Sequence, residues 1–311
     1  MDLNALAQHF SIPGILSFSQ TEHGLRRASI SSPACSAEIY LQGAHLTQWQ
    51  PKGAKPVFFL SERSQFESGK AIRGGVPIIF PWFGNRTPTA LSQRSDGPSH
   101  GFARTEEWTL AFAALAGDEV HLTLTLDPSE TSRSLGYDQF QLVYQLSLGA
   151  ELRLRLTVRN LSSEPLWFED ALHTYFAVGD AREIAIHGLA GTRYLDKTDH
   201  FKVKVQDEPV LRLTGRTDRP YLDTVAAVDL EDPLYARRIH VEKSGSRTTV
   251  VWNPWAASAA QLPDLTPEGW LQMACVETAN VAADAITLAP GEQHTTEARI
   301  LVRSDAIRQP C

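Results

Sequence analysis

Residues 142–159 read LVYQLSLGAELRLRLTVR, and apolar side chains recur at every second position of this stretch. A period of two predicts β-strands with one buried face, because successive side chains of a strand point to opposite faces. Residues Gly149-Ala150-Glu151 separate two such runs, and so short a connection predicts an antiparallel hairpin. The apolar positions are Leu142, Tyr144, Leu146, Leu148, Leu152, Leu154, Leu156 and Val158.

The same alternation occurs on both sides of this hairpin, at residues 120–126 and 298–302. Helical spacing is found near the start, where residues 3–10 carry an apolar stripe and Asp2 can cap the free N–H groups. With 20 Gly and 18 Pro in the chain, these patterns predict a mainly β fold with few short helices. No repeat or linker divides the sequence, so we expect a single domain over residues 1–311.

Composition excludes several classes of protein. The net charge of -7 argues against a nucleic-acid partner, because affinity for phosphate backbones depends on clustered Lys and Arg. No stretch has the ~18 apolar residues of a membrane span, and the first residues, from Met1 onward, lack the basic and apolar regions of a secretory signal. Cys35, Cys275 and Cys311 are too few and too widely separated for a disulfide framework or a CxxC site. We therefore expect a cytoplasmic protein without a nucleic-acid or membrane partner.

Standard nucleotide, zinc-protease and serine-hydrolase motifs are absent from the sequence, and polar residues stand out in four apolar segments instead. Arg73 precedes two glycines and an apolar run, so it either contacts a ligand or lies exposed in a turn. On an extended strand, His100 and Arg104 would share a face with Phe102 and could address one ligand. A satisfied histidine in the core is an equally good interpretation of His100.

The third and fourth segments also combine polar and apolar residues. Strand alternation places His173 and Tyr175 on one face, where they line a pocket or serve the core. Glu277 ends an apolar run, and because burying an unpaired carboxylate is costly, it must be solvated, paired or functional. Trp252 and Trp255 suit either a corner of the core or stacking on a sugar face.

Together the segments resemble a known family. RGGVPIIFPWFG (73–84), HGFAR (100–104), LHTYF (172–176), WNPW (252–255) and MACVE (273–277) stand in the order and roughly the spacing of the hexose-6-phosphate mutarotases. These enzymes, the glucose-6-phosphate 1-epimerases, are a branch of the aldose 1-epimerase superfamily. The resemblance runs from about residue 43 to residue 291 and implies a large antiparallel β-sandwich of the galactose-mutarotase type.

The resemblance also implies roles for individual residues. His173 matches the general acid and Glu277 the general base of the family, and His100 matches a second histidine near the sugar ring oxygen. Arg73 and Arg104 match arginines associated with the 6-phosphate, and Asp218 matches a substrate-binding aspartate. The chain departs from many relatives at Ser258, Ala279 and Gly97-Pro98-Ser99.

The implied reaction interconverts the α and β anomers of a hexose 6-phosphate, with glucose 6-phosphate the expected substrate. One base and one acid suffice, and the ordinary pKa values of Glu and His, about 4.3 and 6.5, leave Glu277 ionised and His173 protonated between them. We expect an isomerase that needs no metal or cofactor and acts as a monomer. The alternatives are a mutarotase of free aldoses or another anionic sugar, and a carbohydrate-binding β-sandwich without catalysis.

Overall fold

The chain is mainly β, as its computed structural model shows for residues 1–304. The first twelve strands are β1 Leu16–Gln20, β2 Arg26–Ser31, β3 Cys35–Tyr40, β4 His45–Pro51, β5 Ile78–Ile79, β6 Thr109–Ala116, β7 Glu119–Leu126, β8 Phe140–Leu148, β9 Leu152–Asn160, β10 Leu166–Phe168, β11 Asp170–Leu172 and β12 Tyr175–Ala177. The others are β13 Ala185–His187, β14 Arg193–Asp196, β15 Lys202–Val205, β16 Val210–Leu211, β17 Thr217–Tyr221, β18 Val228–Asp232, β19 Arg237–Ser244, β20 Thr248–Asn253, β21 Met273–Asn280, β22 Ile286–Leu288 and β23 Gln293–Ser304.

The helices are short. They are α1 Leu3–Phe10, α2 Glu130–Ser134 and α3 Trp255–Ala259, with 3-10 turns at Gly269–Gln272 and Ala282–Asp284. The Asp2 carboxylate accepts a hydrogen bond from the Ala5 N–H at 2.8 Å, so the predicted helix and its cap are both confirmed. Over residues 1–304, none of the helices combines the length and the apolar character that crossing a bilayer requires.

Two large antiparallel sheets dominate the fold. The nine-stranded sheet has the order β16-β13-β18-β19-β23-β9-β8-β7-β6. The eight-stranded sheet has the order β15-β14-β17-β20-β21-β11-β5, and β12 also pairs with β21. A four-stranded sheet, β1-β2-β3-β4, and the pair β10-β22 complete the architecture.

The predicted hairpin at residues 142–159 is confirmed as β8 and β9. Leu148 pairs with Leu152 across the turn, and the alternating apolar side chains of both strands are buried. The predicted last strand is confirmed as part of β23, which pairs with β9. One large hydrophobic cluster contains buried residues of both large sheets, as an antiparallel β-sandwich requires.

A buried polar network also joins the two large sheets. The Asp170 carboxylate on β11 accepts hydrogen bonds from Asn280 Nδ2 at 2.9 Å and from Thr296 Oγ1 on β23 at 2.7 Å. All three side chains are fully buried. Because a buried carboxylate is costly unless its oxygens accept hydrogen bonds, this network constrains how the sheets pack.

Replacing Thr296 with Val tests this network. The change preserves shape but leaves one Asp170 oxygen without its donor, so we expect the free energy of unfolding to fall by about 1–3 kcal/mol. Urea denaturation monitored by circular dichroism measures the loss. Thr295→Val is the matched control, because Thr295 is only half-buried and bonds the Thr157 hydroxyl. An equal loss of unfolding free energy in the two variants would show that the hydrogen bond to Asp170 does not stabilise the fold more than the one to Thr157.

Candidate active site

His173 lies in the two-residue gap between β11 and β12, short strands that both pair with β21. Its backbone N–H donates to the Pro77 carbonyl at 3.0 Å, and the Thr174 carbonyl accepts from the Val276 N–H at 3.2 Å. These two hydrogen bonds fix the backbone in the gap between the strands. The Tyr175 ring stacks on His173 with centroids 4.8 Å apart and planes 11° apart. The prediction that His173 and Tyr175 share a face is therefore confirmed.

Glu277 lies in the interior of the eight-stranded sheet. Its strand β21 pairs with β20 on one side and with β11 and β12 on the other, and every residue of β21 is buried. Burial of both faces of β21 explains the apolar run that precedes Glu277 in the sequence. With only 1% of its surface exposed, the Glu277 side chain is not solvated, which removes one of the three alternatives considered for it.

The structure brings His173 and Glu277 together. His173 Nε2 lies 3.4 Å from Glu277 Oε1, and both side chains are buried. Among the described residues, the two Glu277 oxygens have no hydrogen-bond partner. His173 Nδ1 has none either. A buried polar atom without a partner costs about 1–3 kcal/mol, so several at one point indicate a place prepared for a ligand.

Burial shifts the protonation of both groups. It lowers the pKa of His173 well below 6.5, and the charges of Arg104 and Arg73 lower it further. Burial raises the pKa of Glu277 well above 4.5, which the charge of Lys197 opposes. Both shifts favour the neutral form of the group, because transferring a charge from water into the protein interior is costly. The two groups are therefore expected to titrate as a pair that shares one proton.

Two glycines bring Arg73 to this region. Gly74 and Gly75 have φ values of 122° and 62°, and a Cβ on either would lie 2.3 Å from a neighbouring backbone oxygen. Only glycine tolerates both conditions. The backbone after Arg73 can thus pass close to β4, and the Gly75 carbonyl accepts from the Tyr175 N–H at 2.9 Å.

The Tyr175 side chain lies between the Arg73 guanidinium and His173. Its Nη1 donates to the Tyr175 hydroxyl at 2.9 Å, and its Nη2 donates to Asp264 at 3.1 Å. Because Tyr175 stacks on His173, Arg73 is part of the site and not an exposed turn residue. Asp264 was not identified from the sequence, where its segment carries no motif.

His100 and Arg104 reach the site by a different route from the one we predict. Residues 100–104 are turns and a bend around an isolated bridge between Gly101 and Phe80, so the predicted extended strand is wrong, and Phe102 is buried in the core. The reason is that Gly101 packs against the Phe80 carbonyl, where a Cβ would lie only 2.0 Å from the oxygen. Arg104 Nη2 donates to the Ser99 carbonyl at 2.7 Å.

His100 nevertheless faces His173, with ring centroids 5.4 Å apart. Burial lowers the pKa of His100 well below 6.5, and the charge of Arg104, together with that of His173 whenever it is protonated, adds to this effect. The Gly84 N–H donates to His100 Nδ1 at 3.2 Å. Neutral His100 must then carry its proton on Nε2, where it can donate a hydrogen bond to a ligand.

Asp218 and Lys197 complete the polar lining. Lys197 Nζ lies 3.7 Å from Asp218 Oδ1 and 4.5 Å from the centre of the Phe83 ring. Burial raises the pKa of Asp218, and Lys197 opposes this shift. Lys197 was missed from the sequence because it follows β14 in a segment of alternating charges that resembles an exposed hairpin.

Aromatic rings form the walls. The Phe83 ring lies 4.8 Å from that of His100, and the Trp252 ring lies 6.3 Å from that of His173. Trp255 packs instead on Trp270, with centroids 4.4 Å apart. Both tryptophans of the WNPW segment therefore pack against one apolar cluster that contains Tyr175 and Trp270, and Trp252 also borders His173.

The arrangement combines a buried His–Glu pair, three cationic side chains and aromatic walls. Such a site can bind a small anionic molecule with apolar faces and move protons on it. The cations are those of Arg73, Arg104 and Lys197. Within the described residues, His173, Cys275 and Glu277 also converge closely enough to hold a metal ion.

The chain matches known proteins over most of its length. The sequence profile of the family described as Aldose 1-epimerase matches residues 26–301. A protein of Escherichia coli K12 named "Putative glucose-6-phosphate 1-epimerase" is 35% identical, with 80% of this chain and 81% of that protein covered. A protein of the same name from Cenchrus ciliaris is 31% identical, with 88% and 84% covered.

Solved structures agree with these matches. A structure described as a "putative mutarotase (YeaD)" from Salmonella typhimurium superposes with a TM-score of 0.86 at 31% identity, covering 95% of this chain and 96% of that one. A galactose mutarotase-like protein from Clostridium acetobutylicum superposes with a TM-score of 0.68 at 15% identity, covering 93% and 98%. The second match shows the shared fold alone, and that fold is the one the sequence resemblance implies.

Proposed function

This chain belongs to the aldose 1-epimerase family and is an isomerase, and we propose that it interconverts the α and β anomers of a hexose 6-phosphate. Glucose 6-phosphate is the expected substrate. The proposal assigns proton transfer to His173 and Glu277, the phosphate to Arg73 and Arg104, and the sugar hydroxyls and ring oxygen to Asp218 and His100.

One observation carries the proposal: two arginines lie beside a buried His–Glu pair. The charges of Arg73 and Arg104 both lower the pKa of His173, so both guanidinium groups act at the place where proton transfer would occur. A sugar without charge would not need two half-buried cations there. A phosphate dianion would accept charge-assisted hydrogen bonds from them, which supports a phosphorylated substrate.

The proposed reaction needs two proton transfers. Glu277 removes the proton of the C1 hydroxyl while His173 delivers one to the ring oxygen, and the bond between C1 and that oxygen breaks. The open-chain aldehyde rotates about C1–C2, and closure on its other face repeats the transfers with exchanged roles. Trp252 and Phe83 offer apolar surfaces to the sugar, and His100 Nε2 can donate to it.

The buried environment changes the protonation that the sequence suggests. Burial favours a free protein in which the shared proton is on Glu277 and His173 is neutral, because it disfavours both charged forms. A proton shift between the paired groups, 3.4 Å apart, makes Glu277 the base and His173 the acid. A bound phosphate dianion favours this shift, since its charge opposes the effect of Arg73 and Arg104 on His173.

We therefore expect a bell-shaped pH dependence of kcat/KM. With unperturbed pKa values the acid limb would belong to Glu277 and the alkaline limb to His173, whereas here we expect the reverse. At low pH the pair takes up a second proton on His173, and because its pKa is lowered, this limb lies below pH 6.5. At high pH the pair loses the proton of Glu277, whose pKa is raised. Nitrogen-15 NMR should show neutral His173 in the free protein at pH 6.5.

Free glucose serves as a control in this measurement, because the second ionisation of a phosphate monoester near pH 6 overlaps the profile. A His173 imidazole that titrates at or above pH 6.5 in the free protein would contradict the assignment of the limbs. A profile that is flat from about pH 5 to 9 for both sugars would exclude titration of this pair as the control of rate.

Anomeric exchange tests the proposed function directly. Saturation-transfer NMR should show faster exchange of the glucose 6-phosphate anomers with protein present, and a much smaller acceleration for glucose. Equal acceleration of both sugars would favour a mutarotase of free aldoses. Binding without any acceleration would favour a carbohydrate-binding protein. The monomeric state and cytoplasmic location stay predictions, which light scattering and cell fractionation can measure.

A further inference from the structure

Cys275 is a buried nucleophilic group that the proposed reaction does not use. It lies on β21 two residues before Glu277, so both side chains point to the same face of the sheet. Its thiol is fully buried. A ring nitrogen of His173, the sulfur of Cys275 and a carboxylate oxygen of Glu277 all lie within 4.8 Å of one another. Three ligand atoms of different chemistry therefore converge at one point.

These atoms are not occupied by other contacts. Both Glu277 oxygens are buried and have no hydrogen-bond partner among the described residues, and the ring nitrogen of His173 that lies beside them is Nε2. Buried polar atoms are nearly always paired, so unpaired atoms directed at one point indicate a ligand that accepts electron pairs. A substrate hydroxyl would use the oxygens and the imidazole but has no use for the thiol.

We propose that His173, Cys275 and Glu277 bind a thiophilic divalent cation, for which Zn²⁺ is the best fit, and that the bound cation blocks epimerisation. Zn²⁺ prefers tetrahedral sets of sulfur, nitrogen and oxygen at about 2.0–2.3 Å, which places two ligand atoms roughly 3.3–3.8 Å apart. The 3.4 Å between His173 Nε2 and Glu277 Oε1 agrees with that spacing. Mg²⁺ and Ca²⁺ are poor fits, because they require several oxygen ligands.

Inhibition follows from the electron pairs that the cation occupies. The thiol of Cys275 and the carboxyl group of Glu277 each lose a proton to solvent as the zinc binds, and the thiolate, the carboxylate and the neutral imidazole of His173 each donate a lone pair. His173 and Glu277 can then neither accept nor deliver the protons of ring opening. The binding half of this inference is independent of the proposed function, whereas the inhibition half rests on it.

Cobalt spectroscopy tests the binding half without any activity. Co²⁺ added to the metal-free full-length chain should produce visible bands of tetrahedral cobalt and a near-ultraviolet thiolate-to-cobalt band, at one ion per chain, and Zn²⁺ should abolish both. All samples carry Cys311→Ser, because Cys311 lies outside the described residues and is a further thiol. Cys275→Ser should lose the thiolate band and bind Zn²⁺ at least about 10–100-fold more weakly.

Cys35→Ser is the matched control, because Cys35 is also buried but lies on β3 outside the cluster. It should keep the spectrum and the affinity. If Cys275→Ser does not fold, Glu277→Gln replaces it and should weaken binding while keeping the thiolate band. A missing thiolate band in the parent protein, or an equal band in Cys275→Ser, overturns the site.

The activity measurement then tests inhibition. Zn²⁺ should lower the exchange of glucose 6-phosphate anomers reversibly, glucose 6-phosphate should protect, and the inhibition relative to each variant's own rate should be lost in Cys275→Ser. Zinc binding that leaves the exchange unchanged overturns the inhibition. A cobalt spectrum in a protein without any exchange activity would support the cation site and contradict the proposed function instead.

Discussion

Replacing His173 with Ala or Glu277 with Gln should each lower the catalysed exchange of glucose 6-phosphate anomers by about 10²–10⁴-fold, the usual contribution of a positioned acid or base. Each variant removes one of the two groups between which the protons pass, and the remaining group cannot serve both transfers. Saturation-transfer NMR measures the exchange rate. Either variant with near-normal exchange would exclude the pair as the acid and base.

The two variants differ in what else they change. Glu277→Gln keeps the shape of a side chain whose oxygens have no hydrogen-bond partner among residues 1–304, so the fold should be preserved. His173→Ala also removes the ring that stacks on Tyr175, so its unfolding must be measured beside its activity. His187→Ala is the control, because His187 is only partly buried on β13 and pairs with Glu231. It should exchange the anomers normally.

Replacing Arg104 or Arg73 with Ala should raise KM for glucose 6-phosphate by about 10–100-fold, since a charge-assisted contact contributes roughly 1.5–3 kcal/mol. The effect on free glucose should be small, because glucose has no phosphate for the guanidinium to hold. Initial-rate measurements with both sugars give the comparison. Arg153→Ala serves as the control, because Arg153 is half-exposed on β9 and pairs with Glu297.

Arg73 should show the larger of the two effects. It also bonds Tyr175 and Asp264, so its removal leaves a partly buried carboxylate near the site, which would repel the phosphate. Asp264→Asn in the Arg73→Ala background should therefore restore part of the lost affinity. Equal losses for glucose and glucose 6-phosphate would make both arginines structural and would contradict the phosphate assignment.

Much of the fold was predictable from local pattern. The hairpin of β8 and β9, the last strand and the capped helix α1 each depend on residues close together in the sequence, where periodicity and turn length suffice. The order of strands within the sheets was not predictable from pattern. β9 pairs with β23, more than a hundred residues away, and alternation does not specify which strand is its neighbour.

The site was predictable in part, and for a different reason. His173 and Glu277 came from the resemblance of five motifs, since local sequence favoured a structural histidine and left a solvated or paired carboxylate as alternatives. The prediction for residues 100–104 failed because Gly101 packs on Phe80 and turns the chain, a contact between segments about twenty residues apart. Lys197 and Asp264 have no local signal, and folding alone brings them to the site.

The sequence by itself determined the mainly β class, the hairpin at residues 142–159 and the chemical types of side chain available for catalysis. Only the tertiary structure decided which protonation states of His173 and Glu277 are favoured. Their ordinary pKa values predict an ionised pair, whereas burial between the strands favours two neutral groups. The physical reason is that strand pattern depends on neighbours along the chain, while the cost of a charge depends on whether distant segments exclude water around it.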